Sequence, residues 1–130
     1  MDADGAHSID TDVATITLQP DGLLVYRYKP GVTVTTDDAK DVVARAARIV
    51  PSPRPTLAVI TGVQSIERGA RLYFANDPAN AALTSRIAFV TGSPISRVIA
   101  NFFLGFNKPD FPTRLFSSEE AAVTWLQKGS

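Results

Sequence analysis

The sequence has no cysteine and a single histidine, His7, among its 130 residues. The first absence removes disulfides, thiolate nucleophiles and thiolate metal sites together. The second confines imidazole chemistry to the first few residues, so neither a Ser-His or Cys-His arrangement nor a histidine metal site is expected inside the fold. Net charge is absent as well, since 13 basic side chains balance 13 acidic ones. That balance gives no electrostatic reason to expect nucleic acid or an anionic membrane as the main partner. No apolar run approaches the roughly 20 residues of a membrane span. The chain has no GxGxxG, no GxxxxGK[ST] and no nucleophile elbow. Catalytic, cofactor-binding and metal-binding residues are accordingly expected to be none, and the protein is expected not to be an enzyme.

Residues 1–12, MDADGAHSIDTD, are acidic and small, without the basic start and apolar run of a signal peptide. They read as a flexible acidic tail whose deletion leaves the fold intact, and the protein reads as cytoplasmic. The chain has the means to build a core: hydrophobic residues make up 45% and charged residues 20%. Residues 13–128 are expected to form a single domain.

Alternation from Val13 through Leu18 suits a half-buried strand, Pro20-Asp21-Gly22 a turn, and Leu23 to Tyr28 the returning strand of a hairpin. A helix comes next, with Thr36 as its expected cap and Ala39, Val42, Val43, Ala46, Ile49 and Val50 on its buried face. The continuous apolar runs Leu57–Ile60 and Ile87–Val90 are expected of strands covered on both faces. Between them Ser65 is expected to cap a short helix, and Asp77-Pro78 to start another turn of helix. Ser93-Pro94 opens the most apolar helix, Ile95 to about Asn107, and Thr113–Phe116 reads as a last strand. Ser117 with Glu120 spells a capping box for a final helix that buries Ala121, Ala122, Trp125 and Leu126, with Trp125 as its anchor. The expected fold class is α/β, a mostly parallel five-stranded sheet opening with an antiparallel hairpin, in the order ββαβ(αα)βαβα.

Two features bear on function. The turns Thr61-Gly62-Val63-Gln64-Ser65 and Thr91-Gly92-Ser93-Pro94 each leave an apolar strand for a helix. In an open parallel sheet such turns lie at the carboxyl ends of the strands, where ligands usually bind. Hydroxyls and helix N-terminal amides suit an anion there, and Arg68 and Arg97 come within about a turn. Thr61, Gly62, Ser65, Arg68, Thr91, Gly92, Ser93 and Arg97 thus form a candidate edge for a small anionic ligand or a partner's acidic side chain. The alternative is a pair of ordinary capped turns with solvated arginines. The second feature is the helix from Ile95. Ile95, Val98, Ile99, Phe102 and Phe106 fall on one face, expected to be core, with Phe103 on its flank. Ala100, Phe103 and Leu104 remain as a patch for a partner or a lipid-like ligand.

The element order, and above all the segment SPISRVIANFFLGFNKPDFPTRLFSSEEAAVTWL, resembles the bacterial SpoIIAA-like family, which shares the fold of STAS domains, the anti-sigma factor antagonists. The resemblance covers about residues 13–128 and implies a two-layer SpoIIAA-like fold and a non-enzymatic regulatory module acting on a protein partner, with a homodimer also open. Related domains bind nucleotides, lipids or proteins, so a small-ligand or lipid-binding protein is the alternative. Antagonist STAS domains carry an Asp-Ser pair that a kinase phosphorylates after the third strand. Here that stretch reads Val63-Gln64-Ser65-Ile66-Glu67; without the aspartate, a phosphoswitch of the usual kind is not implied.

Overall fold

A computed structural model describes residues 7–104 and 111–128, with side chains to residue 101 in the first stretch. In chain order it contains β1 (His7–Asp10), β2 (Ala14–Leu18), β3 (Leu24–Tyr28), β4 (Thr33–Val34), α1 (Thr36–Ala47), β5 (Arg54–Val59), β6 (Ser65–Ile66), α2 (Arg68–Asn76), α3 (Pro78–Ala81), β7 (Thr84–Val90), α4 (Pro94–Leu104), β8 (Thr113–Phe116) and α5 (Glu119–Lys128). Six strands form one sheet in the order β1-β2-β3-β5-β7-β8, and β4 pairs with β6 in a separate two-stranded piece. The β1–β2 and β2–β3 pairs are antiparallel; β3–β5, β5–β7 and β7–β8 are parallel. Among the described residues no helix is long and apolar enough to cross a membrane.

The five expected strands are present, and the sixth comes from the expected tail. Residues 7–10 pair along β2 from His7↔Leu18 to Asp10↔Thr15. Polar pairs hold this strand: the Ser8 and Thr17 hydroxyls lie 2.9 Å apart, and the Thr15 hydroxyl donates to Asp10 at 3.2 Å. Thr11 is buried and its hydroxyl accepts from the Val13 and Ala14 amides. Ile9, opposite Ile16, is the one apolar side chain of this strand that packs on the core; a single apolar residue among polar cross-strand pairs leaves no hydrophobic period in the sequence.

Capping decides where the helices start. The Thr35 hydroxyl accepts from the Asp38 amide at 3.1 Å while the Asp38 carboxylate accepts from the Thr35 amide at 3.0 Å, a full capping box one residue before the expected Thr36. At α5 the Ser118 hydroxyl accepts from the Ala121 amide, replacing the expected Ser117–Glu120 box.

The sheet has two buried faces. On one, Ile16, Leu24, Tyr26, Ala58, Ile60 and Phe89 meet Val42, Val43 and Ala46 of α1, Ala70 of α2, and Ile99 and Ala100 of α4. On the other, Leu23, Val25, Leu57, Val59, Ala88 and Val90 meet Ala122 and Leu126 of α5. Successive residues of the 57–60 run therefore point to opposite cores, which is why that run shows no polar alternation. Within α5, Ala122 and Leu126 are fully buried, Ala121 is exposed, and Trp125 is only partly buried. Trp125 covers the edge of this core: its ring lies 5.8 Å from that of Phe116, and the Arg86 guanidinium sits 4.5 Å above it. The anchor of α5 is Leu126 rather than Trp125.

Candidate functional site

Strands β5 and β7 are parallel neighbours with Val59 opposite Val90, so the turns that leave them emerge side by side at the carboxyl edge of the sheet. They touch. A Cβ on Gly92 would overlap the Thr61 side chain, and one on Gly62 would come within 3.0 Å of Pro30. These two glycines are close-approach positions that fasten the edge together. Thr61 and Gly62 are exposed, Thr91 is buried and Ser93 is partly buried.

Most amides at this edge are already engaged. Gly92 and Ser93 donate to the Ser96 hydroxyl at 3.2 and 3.1 Å, and the Ser96 amide donates to the Ser93 hydroxyl at 3.1 Å. This is a reciprocal cap in which Ser96 occupies the position usually taken by Glu or Gln. Pro94 has no N–H to offer. In the other turn, Val63 donates to Ile60, and Gln64 and Ser65 to Val32. The expected cap at Ser65 is corrected: Ser65 lies in β6, its hydroxyl 3.1 Å from that of Thr33, and α2 begins at Arg68 after Glu67, which makes no side-chain cap. Arg68 and Arg97 are both exposed, and neither has an ion pair among the described residues. The structure thus brings Thr61, Gly62, Thr91, Gly92 and Ser93 together, spends the amides of Thr91, Gly92 and Ser93 internally, and leaves the arginines in solvent.

Helix α4 departs most from expectation. Ile95 and Val98 are 51% and 66% exposed, whereas Ser96 and Ala100 are 0% and Ile99 5% exposed. Among the described residues of the expected core face only Ile99 is inward, and Ala100, expected on the outer patch, is buried. Phe106 and the side chains of Phe102, Phe103 and Leu104 lie outside the described residues. Ser96 packs inward together with Ile99 and Ala100 while its hydroxyl is satisfied by the Gly92 and Ser93 amides, and helical spacing turns its neighbours at 95 and 98 outward. The signal in the sequence is Ser93-Pro94-Ile95-Ser96 itself, a hydroxyl pair at capping-box spacing.

The sequence model of a family described as a domain of unknown function, DUF7793, matches residues 16–130. No curated protein matches the chain. Among solved structures, an uncharacterised DUF3478 protein with a SpoIIAA-like fold from Shewanella loihica PV-4 superposes with a TM-score of 0.53 at 15% identity, covering 94% of this chain and 92% of that one. A protein of unknown function from Arthrobacter sp. FB24 is 35% identical over 91% of this chain and 95% of that one, with a TM-score of 0.35. The fold of this chain is SpoIIAA-like.

Proposed function

This chain belongs to the DUF7793 family, and from that premise and the geometry of the strand-end edge we propose that it is a non-enzymatic regulatory module that docks a protein partner across the outer face of α4. One observation carries the reading: in the first turns of α4, Ser96 is sealed inside while Ile95 and Val98 stand 51% and 66% exposed. Two branched apolar side chains one turn apart on a capped helix make a firm contact surface, and a contiguous exposed apolar patch at an edge marks an interaction site more often than a lone residue does. Arg97 sits between them in sequence and is exposed. The complementary partner surface therefore has an apolar centre with acidic groups at its rim. The hydroxyls of Ser93 and Ser96 beside this face are committed to the cap, which supports the same reading.

A photo-reactive amino acid at position 98 tests this in the source cells. The captured protein, purified, should bind the unsubstituted chain and lose at least about tenfold in affinity on Val98→Asp, while Thr124→Asp on α5 leaves binding unchanged. Equal binding by Val98→Asp would overturn the docking face. A concentration-dependent dimer of the chain that dissociates on Val98→Asp would replace the separate partner with a second copy.

A further inference from the structure

At the end of the sheet opposite the strand-end edge lies a cleft of about 270 Å³, formed where β1, the β2–β3 turn and the first residue of β5 meet. That volume is well above the roughly 150 Å³ in which a six-membered ring fits. Its polar walls come from His7, Gln19, Asp21 and Arg54.

Each of the four arrives for a local reason. Gln19 and Asp21 belong to the turn that Pro20 and Gly22 shape, with Gly22 at φ +93° and the Asp21 carboxylate accepting from the Leu23 amide at 3.0 Å. Strand β1 carries His7 to the mouth because it pairs opposite Leu18. Arg54 opens β5 and lays its guanidinium over Gly22, with Nη1 3.2 Å from where a Cβ on that residue would stand.

At the strand-end edge most donors are spent, whereas here they are open. Among the described residues the side chains of His7, Gln19 and Arg54 have no hydrogen-bond partner, and Arg54 forms no ion pair. The Arg54 Nε is sealed from water with no acceptor, so this guanidinium is solvated only through its outer nitrogens. Water there hydrates the charge without neutralising it, and a partly buried cation without a counter-charge is destabilising. The one carboxylate of the cleft, Asp21, makes no ion pair with it and serves the turn instead.

We infer that this cleft binds a small monoanion, a carboxylate. Arg54 offers the planar fork of donors that a carboxylate matches. Gln19 and His7 add N–H donors beside it, and Leu18 gives the ligand's carbon end an apolar contact. A single guanidinium facing a single acidic side chain favours one negative charge over the two of a phosphate. Helix α4 leaves the opposite end of the sheet, so this site and the docking face stand or fail separately.

The full chain is titrated with propionate, propionamide and inorganic phosphate, with sodium chloride holding ionic strength constant, following the Arg54 Nε–H and Gly22 amide resonances. Propionate should give saturable shifts. Its affinity should fall at least about tenfold in Arg54→Gln and about three- to fivefold in Arg54→Lys, which keeps the charge and loses the fork. Asp21→Asn keeps an acceptor for the Leu23 amide and removes a repelling charge, so it should tighten propionate about two- to threefold. Propionamide should not saturate, and phosphate should bind more weakly than propionate. No saturable shift with propionate would overturn the site, as would equal affinity in Arg54→Gln. Shifts that chloride alone reproduces would make this an adventitious ion only and overturn it too. Phosphate binding as tightly as propionate would overturn the choice of a monoanion. Should Arg54→Gln fail to fold, Asp21→Asn decides: tighter binding supports the site, and unchanged or weaker binding overturns it.

Discussion

Helices α4 and α5 both start on a serine and both pack beside β8, yet they turn opposite kinds of face to the core. In α5 the buried positions are Ala122 and Leu126, and the polar residues Glu119, Glu120 and Thr124 face water. In α4 a serine is fully buried while an isoleucine and a valine face water. The difference starts in the first turn. Ser118 caps α5 alone and makes no demand on Ala121, which is exposed, so hydrophobic periodicity is free to set the rotation of that helix. Ser93 and Ser96 bond reciprocally, so the serine that packs inward has its hydroxyl satisfied and leaves no unpaired polar group in the core. Ile99 and Ala100 complete that inward face, and Ile95 and Val98 stay outside.

The largest expected effect lies in α5. Leu126→Ala removes a fully buried side chain from the core formed with Leu57, Val59, Ala88 and Val90, and should cost about 2–5 kcal/mol. Trp125→Ala, at the rim, should cost less despite its greater size. Urea unfolding of the two variants decides the point, and a larger loss for Trp125→Ala would return the anchor to the tryptophan. Next in size is the cap. Ser96→Ala strips the acceptor from the Gly92 and Ser93 amides in a buried setting and should cost about 1–3 kcal/mol. Ser118→Ala should cost less, because the α5 cap is exposed to water that can replace the lost bond. The reverse order would mean that burial of the α4 cap adds nothing to its worth.

These contrasts also explain what could be read from the chain alone. Strands β5 and β7 were legible because Leu57–Ile60 and Ile87–Val90 are apolar runs too short for a helix and flanked by glycine. The final helix was legible because its buried pair keeps helical spacing. Strand β1 was hidden because it offers the core only Ile9 and otherwise meets β2 through hydroxyl and carboxylate pairs, which composition records only as polarity. Strands β4 and β6 hold two residues each, below the length at which any period shows. The two strand-end turns lie side by side because β5 and β7 are parallel neighbours, but which of their amides are engaged depends on Ser96 and Val32, residues outside both turns. His7 and Arg54 stand far apart in the chain, and only the pairing of β1 with β2 brings the imidazole to the hairpin turn.

A smaller effect ties α5 to the sheet. Arg27 of β3 forms a two-pronged ion pair with Glu119 in the first turn of α5, at 2.7 and 3.2 Å. Hydrogen bonding to Arg27 holds the Glu119 carboxyl below its ordinary value of 4.5, against the opposing effect of burial. A lowered folded-state value stabilises the fold above the unfolded value and is lost as pH falls through the folded one. The side chains are 53% and 45% exposed, so the contribution is screened to under about 1 kcal/mol. Glu119→Gln should therefore lower the melting temperature slightly at neutral pH, with the gap closing as pH falls from about 5 through the acid range and shrinking in high salt. A gap that persists in acid would assign the effect to packing.

The smallest effect on stability is the one that best separates the two helices. Val98 keeps 66% of its surface exposed, so replacing it with serine gives up little burial, and valine and serine have similar helix propensities. Val98→Ser should change the unfolding free energy by no more than about 0.5 kcal/mol, the range of ordinary surface changes. The matching change on α5, Ala122→Ser, places a hydroxyl in a fully buried apolar position and should cost about 1–3 kcal/mol. Urea unfolding of the pair supplies the contrast. A loss above about 1 kcal/mol for Val98→Ser would mean that this side chain is packed within the folded chain, and the outer face of α4 would then be part of the core instead of a surface kept for a partner.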